Sequence, residues 1–214
     1  MHIEFLVEDS SGTMLLELLI PQIIGPFSNP HTWQIHAYKG IGNIPHNLKP
    51  ATDAQKRILL DQLPKLLRGY KKTPGIDAVV VIVDSDRKIC QDFLSELKVV
   101  AIESGAPDTM FRIAIEEIEA WYLGDSAAIK TAYPKAKQTL LLKYEQDSIC
   151  GTWELLADIV CPGGIKAVHK VGWPLPGNLK HQWATNIGAH MDIERNVSPS
   201  FQKFVSGLQK LANI

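Results

Sequence analysis

The feature that most constrains the fold is a short apolar segment near the middle of the chain, followed at once by acidic residues. Residues 79–83 read VVVIV, a β-branched run typical of a strand buried on both faces of a parallel sheet. Asp84 and Asp86 come directly after it. Aspartate is a poor strand residue and is costly to bury without a partner, so two carboxylates at the end of a core strand require an explanation.

The order of apolar patterns along the chain predicts an α/β fold. Strand-like segments alternate with segments of helical periodicity. The predicted strands are residues 2–7, 33–38, 77–83 and 110–115, and the predicted helices are residues 12–24, 52–68, 87–100 and 116–125. This alternation predicts a Rossmann-like parallel sheet of about four strands, flanked by helices on both faces.

Strand patterns stop near residue 126, which predicts two parts of the chain. We expect residues 1–125 to form the α/β core and residues 126–214 to form a mainly helical extension packed on it. Helical patterns cover residues 152–160 and 199–212, and Ser198 with Pro199 reads as the capped start of the second. A Gly/Pro-rich link, residues 161–177, lies between them.

Composition limits the partners and the location of the protein. With 22 basic and 23 acidic residues, the formal charge is -1, so any site for a polyanion must be a local one. The three cysteines are odd in number and show no C-x-x-C spacing, which favours a reducing cytoplasm over a disulfide framework or a zinc site. No apolar run is long enough to span a bilayer, so we expect a cytoplasmic protein without a membrane partner.

The acidic residues are expected to converge. Ligands of open parallel sheets collect beyond the carboxyl ends of the strands. If the strand order is 2-1-3-4, Glu8 after strand one meets Asp84 and Asp86 after strand three, and a fourth acid comes from Glu116, Glu117 or Glu119 after strand four. Carboxylates a few ångströms apart resist ionisation unless a cation compensates them, so the pattern predicts Mg²⁺ or Mn²⁺.

A plainer interpretation of the same residues remains open. Aspartate after a strand often caps the next helix, and Ser85 or Asp86 would then cap a helix starting near Arg87. The helix after strand four, likewise, would be an ordinary amphipathic helix that packs Ile118, Trp121 and Leu123 into the core.

Several motifs together resemble a known family. The segments FLVEDSSG (residues 5–12) and VVVIVDSD (residues 79–86) resemble the Toprim domain of topoisomerases, primases and the overcoming-lysogenization-defect nucleases. With RIAIEEIEAWYLGD (residues 112–125) and IGAHMDIERNVSPSFQKF (residues 187–204), the chain resembles an uncharacterised Toprim-like family of bacterial proteins. Genes of that family often lie beside AAA or ABC-type ATPase genes, as in defence and mobile-element systems. One difference is that Asp9, and not glycine, follows Glu8.

The resemblance implies a function and a role for each acid. Glu8 would act as general acid/base or metal ligand, and Asp84 and Asp86 as Mg²⁺ ligands, in a nuclease that hydrolyses DNA or RNA. Arg87 and Lys170 are the expected phosphate-binding residues, with Lys166 and Lys180 as further candidates. An ATPase partner and a homo-oligomer are also expected.

Two other functions remain open at this stage. The first is a non-catalytic Toprim-like subunit that binds an ATPase partner or nucleic acid, which the balanced charge favours. The second is a receiver-like phosphotransfer domain, which ranks behind because no fifth strand ending in lysine is evident.

Overall fold

The computed structural model contains one sheet of four parallel strands in the order β2-β1-β3-β4. The structure describes residues 1–86, 88–106, 108–115, 117–148 and 151–213. The strands are β1 (His2–Val7), β2 (Thr32–Ala37), β3 (Ala78–Asp84) and β4 (Met110–Ala114). Both the α/β class and the predicted strand order are confirmed. Predictions for Arg87, Glu116 and Cys150 lie outside the described residues.

Within the described residues, the chain forms ten α-helices in addition to the four strands. They are α1 (Ser10–Ile24), α2 (Leu59–Tyr70), α3 (Cys90–Glu103), α4 (Glu119–Leu123), α5 (Ser126–Ala132), α6 (Gln138–Leu141), α7 (Thr152–Val160), α8 (Gly164–Val171), α9 (Leu175–Asn186) and α10 (Pro199–Ala212). Short 3₁₀ turns occupy His46–Leu48, Ala54–Lys56 and Gly188–His190. Among these helices, none has the length and apolarity needed to cross a lipid bilayer.

Two of the predicted helix starts are wrong, for local reasons. The helix expected from Thr52 begins at Leu59, because the backbone N–H and hydroxyl of Thr52 donate to the Asp61 carboxylate instead of capping. The helix expected from Arg87 begins at Cys90, and no side chain caps it at Ile89. The N-cap position of this helix is therefore Ile89, and not Ser85 or Asp86.

The sheet is buried on both faces, as the apolar run predicts. Val80 and Ile82 of β3 pack into a core that also contains α1 and the C-terminal helices. Val79, Val81 and Val83 point to the other face and pack with α2 and α3. Alternate side chains of one strand thus fill two separate cores.

The C-terminal helices share the first of these cores with the sheet. Trp121 of α4 stacks on Phe204 of α10, with ring centroids 5.1 Å apart, and its indole N–H donates to Ser200. Gly124 lies so close to Asn196 that a Cβ atom there would come within 2.2 Å of its amide oxygen. The two C-terminal motifs of the family resemblance are therefore contact partners. The packing of Trp121 and Leu123 into the core is confirmed, and the division of the chain at residue 125 stays a prediction.

Candidate functional site

The carboxyl ends of β1 and β3 lie side by side, which places Glu8 next to Asp84. Val7 is opposite Ile82 in the parallel pairing, so both strands end at the same edge of the sheet. A backbone hydrogen bond from Asp84 reaches the Glu8 carboxylate. Acids that are distant in sequence thus line one small pocket, at the edge where open α/β folds bind ligands.

The turn after β1 is stabilised by Asp9. Its carboxylate accepts hydrogen bonds from the Gly12 N–H and the Ser11 hydroxyl, both at 2.8 Å, and caps α1. Because Asp9 satisfies the helix N-terminus, the neighbouring Glu8 is left to face the pocket. This accounts for the acid that stands where the Toprim pattern has glycine.

A lysine from the C-terminal extension enters the same site. Helix α9 packs against α1 and places the Lys180 ammonium 3.0 Å from a Glu117 oxygen and 3.5 Å from a Glu119 oxygen. Glu117 also accepts a hydrogen bond from the backbone N–H of Trp153, at 3.2 Å. We call Glu8, Asp84, Glu117 and Glu119 the acid cluster, with Lys180 as its cation.

Burial and mutual repulsion raise the pKa values of the acids. Burial, followed by the charge of Asp86, raises the pKa of Glu8 to about 7. Burial raises the pKa of Asp84 well above its usual value, and the charges of Glu8 and Glu119 add to this. Burial likewise raises the pKa of Glu119 to about 7, against the effect of Lys180. Burial alone would lower the pKa of Lys180, but the surrounding carboxylates, Glu119 first, raise it above its ordinary value.

Several polar atoms of the site are buried and have no hydrogen-bond partner among the residues that the structure describes. They include Glu8 Oε2, both carboxylate oxygens of Glu119 and the Tyr122 hydroxyl. Glu119 has the ionic contact with Lys180, while burial and the charge of Glu119 hold the pKa of Tyr122 well above its usual range. Most buried polar atoms in proteins are satisfied by protein groups or ordered water, so these atoms are available to water or to a polar ligand.

A model of one protein family matches residues 7–209, and it is described as a domain of unknown function, DUF4276. The chain therefore belongs to the DUF4276 family. No curated protein and no solved structure matches the chain significantly. The DUF4276 match includes Glu8, Asp84 and Lys180, so the acid cluster lies inside the family's domain.

The other predicted site residues of this DUF4276 domain lie in different surroundings. Asp86 is exposed, with a left-handed φ of 48°, and its charge still acts on Glu8. Glu117, expected as a metal ligand, pairs with Lys180. Lys170 lies on the exposed side of α8. Glu116 and Arg87 lie outside the described residues.

The sequence does not distinguish two members of the site, Glu119 and Lys180, from other acidic and basic residues. Glu119 is fully buried in the acid cluster. From the sequence, it could equally be a residue of an ordinary amphipathic helix with no role in a site. Lys180 was one of several lysines considered for phosphate binding. No local pattern distinguishes it, because its contacts with the acids arise from the packing of α9 on α1.

The chemistry of the cluster fits a divalent cation. Glu8 Oε2 is a buried carboxylate oxygen with no hydrogen-bond partner in the described part of the chain, and Mg²⁺ and Mn²⁺ prefer oxygen ligands. Within the described ranges, no three His, Cys, Asp or Glu side chains are gathered to hold one ion. Mg²⁺ commonly takes one or two carboxylates and keeps several waters, so Glu8 and Asp84 provide a protein ligand set of the usual size.

Proposed function

We propose that this DUF4276 protein is a Mg²⁺- or Mn²⁺-dependent nuclease that hydrolyses phosphodiester bonds of DNA or RNA in the cytoplasm, alone or as a homo-oligomer. The observation that carries the proposal is the contact between Glu8 and Asp84 at the shared end of β1 and β3. A glutamate after the first strand and an aspartate after a later core strand are also the motifs that resemble Toprim nucleases.

In the proposed mechanism, Glu8 and Asp84 hold the metal, with Asp86 at the exposed rim of the site. The bound ion would activate water and neutralise charge on the phosphate. Alternatively, Asp84 and Asp86 hold the ion and Glu8 moves the proton, a role suited to its pKa of about 7 in the metal-free protein. Asp84 is the last residue of β3, so its side chain lies at the same edge of the sheet as Glu8.

Lys180 is the best-placed group to bind the scissile phosphate. Its ammonium group is held by Glu117 and Glu119, and its side chain is 22% exposed. An ammonium group has three donors, and the hydrogen bond to Glu117 uses one of them, so Lys180 can also donate to a phosphate oxygen. Phosphate binding by Lys170 and Arg87 stays a prediction.

A cleavage assay tests the proposal. Circular plasmid and bulk tRNA are incubated with the purified protein and Mg²⁺, Mn²⁺, Ca²⁺ or EDTA. We expect cleavage of at least one substrate in Mg²⁺ or Mn²⁺ and none in EDTA, because the carboxylates act through the metal. A Glu17→Gln variant, altered on the exposed side of α1, serves as the control and should cleave normally. Cleavage that persists in EDTA would contradict the proposal.

A groove beside the edge strand β4 favours a second candidate function, that of a subunit which binds a partner. The groove has a volume of about 580 Å³ and is lined by Arg112, Lys203 and Lys210, with no acidic side chain among its described lining residues. The Arg112 guanidinium donates to the Lys203 carbonyl at 2.9 Å and packs against Gly207. A sheet edge with fixed cations suits an extended acidic segment, such as one from an ATPase partner.

The two functions are separated by the same assay. Metal binding without cleavage favours the subunit, and cleavage that begins only when the ATPase is added indicates that both functions operate. A Lys203→Glu/Lys210→Glu variant should then lose the ATPase-dependent cleavage, because acidic groups would repel an acidic segment.

A further inference from the structure

An unusually exposed tryptophan lies at the junction of α8 and α9. The side chain of Trp173 is 81% exposed, and the nearby Val171 is 69% exposed. Tryptophan is highly buried on average, and Trp173 and Val171 together form a small exposed apolar patch. Its ring is supported from one side, because a Cβ atom on Gly177 would lie 3.0 Å from the indole. Trp173 therefore offers a braced aromatic surface.

A chain of contacts connects this indole to the acid cluster. The Gly177 carbonyl, beside the indole, accepts a hydrogen bond from His181 Nδ1 at 3.0 Å. The other ring nitrogen of His181 lies 2.7 Å from the Ser10 hydroxyl. Ser10 follows Glu8 by two residues, and Lys180 precedes His181. One turn of α9 thus leads from Trp173 to Glu8 and Lys180.

Cationic and aromatic groups lie on the neighbouring helix. Lys166, His169 and Lys170 occupy positions i, i+3 and i+4 of α8 and are all exposed. Within the described residues neither lysine forms an ion pair. Trp153 stacks on His169, with centroids 5.8 Å apart and planes 29° apart. Because the backbone of Trp153 binds Glu117, this second aromatic group also adjoins the cluster.

We infer that the α8–α9 surface (Lys166, His169, Lys170 and Trp173) binds single-stranded nucleic acid, with a base stacked on Trp173 and phosphates on the two lysines. An unpaired base presents its face to an indole, whereas the bases of a duplex are stacked on one another. The cations match the anionic backbone of the strand. Cleavage of the bound strand at the acid cluster rests on the proposed function. Binding of the strand to the α8–α9 surface does not.

Binding is measured in EDTA, so that metal-dependent cleavage plays no part. The probes are fluorescein-labelled oligothymidylate and oligouridylate of about 12 nucleotides, and the same thymidylate strand paired with its complement. We expect the full chain to bind the single strands more tightly than the duplex. Trp173→Ala should weaken single-strand binding about 5- to 150-fold, the range for loss of one stacked base, and Trp173→Phe should restore most of it.

Two control variants test whether the loss of affinity is specific to the α8–α9 surface. Phe27 is also an exposed aromatic residue, 58% exposed, in the connection from α1 to β2 at the opposite edge of the sheet, and Phe27→Ala should bind as the wild type does. Lys166→Ala/Lys170→Ala should reduce the dependence of affinity on salt, whereas Lys72→Ala, changed at an exposed residue after α2, should not.

Equal affinity for single strand and duplex, or unchanged single-strand affinity in Trp173→Ala, would overturn the inference. Far-UV circular dichroism of Trp173→Ala distinguishes loss of a contact from loss of the fold, and the exposed position predicts an unchanged spectrum. Single-strand binding without cleavage in Mn²⁺ would refute the nuclease and leave this inference intact. Cleavage by the wild type, combined with unchanged single-strand affinity in Trp173→Ala, would support the nuclease and refute this inference.

Discussion

Replacement of Glu8 by glutamine should lower metal-dependent cleavage about 10²- to 10⁴-fold, the usual contribution of a general acid/base. Glutamine has the size of glutamate, but it cannot exchange the proton and is a poorer metal ligand. The measurement is the initial rate of cleavage in Mn²⁺ at saturating substrate. Glu17→Gln should keep the wild-type rate, because residue 17 is exposed on α1.

The same substitution should stabilise the protein in the absence of metal. The pKa of Glu8 is about 7 in the folded chain, above the value of 4.5 expected for an unperturbed glutamate. The folded state therefore holds more protons between these two values, and this contribution to stability is complete below the lower value and lost as pH rises toward the upper one. Glu8→Gln avoids that loss, so its free energy of unfolding at about pH 8 should exceed that of the wild type by about 1–3 kcal/mol.

Urea denaturation across this pH range checks the prediction. The wild type should lose stability from mildly acidic to neutral pH, whereas the slope should be smaller in Glu8→Gln. A variant that is less stable than the wild type above neutral pH, or equally active in cleavage, would show that Glu8 is an ordinary structural residue.

The second large effect is expected at Asp125, which is not a member of the acid cluster. The side chain of Asp125 is fully buried, and its two oxygens accept from Arg195 Nε and Nη2, both at 2.8 Å. It also caps α5 through the Ala128 N–H and accepts from the Asp192 N–H, each at 3.0 Å. This one carboxylate thus joins the end of the α4 segment to the chain that leads into α10.

Asp125→Ala should lower the free energy of unfolding by about 2–4 kcal/mol, because it removes a helix cap and a buried carboxylate that accepts four hydrogen bonds. Asp125→Asn keeps an acceptor for the cap and should cost less. The control is Asp192→Ala, since Asp192 is an exposed residue that contacts the same arginine, and its effect should be much smaller. If the variants at 125 and 192 unfold at the same urea concentration, Asp125 does not hold the C-terminal segment in place.

Much of the fold follows from patterns that are local in sequence. The apolar run at 79–83 and the repeated strand-helix order determine a parallel sheet, and the placement of Glu8 beside Asp84 follows from the strand order 2-1-3-4. The helices at 152–160 and 199–212 have the predicted bounds, because apolar spacing and the Ser198 cap are signals within each segment.

Other features depend on contacts that the sequence does not show. The Gly/Pro-rich link contains α8 and the start of α9, because glycines 163 and 172 bound the first helix and Pro176 lies in the first turn of the second. Thr52 resembles a helix cap, but Asp61 binds it from within the next helix. Lys180 reaches the acids only through packing of two helices distant in sequence.

The central claim is that Glu8 and Asp84 together bind a divalent cation, and calorimetric titration of Mn²⁺ into the metal-stripped protein tests it most directly. We expect saturable binding by the wild type, accompanied by proton release because the pKa values of Glu8 and Asp84 are raised. Asp84→Asn and Glu8→Gln should each abolish the saturable heat, while Glu17→Gln should retain it. A wild type that binds no Mn²⁺, or an Asp84→Asn variant that binds it equally well, would contradict the claim.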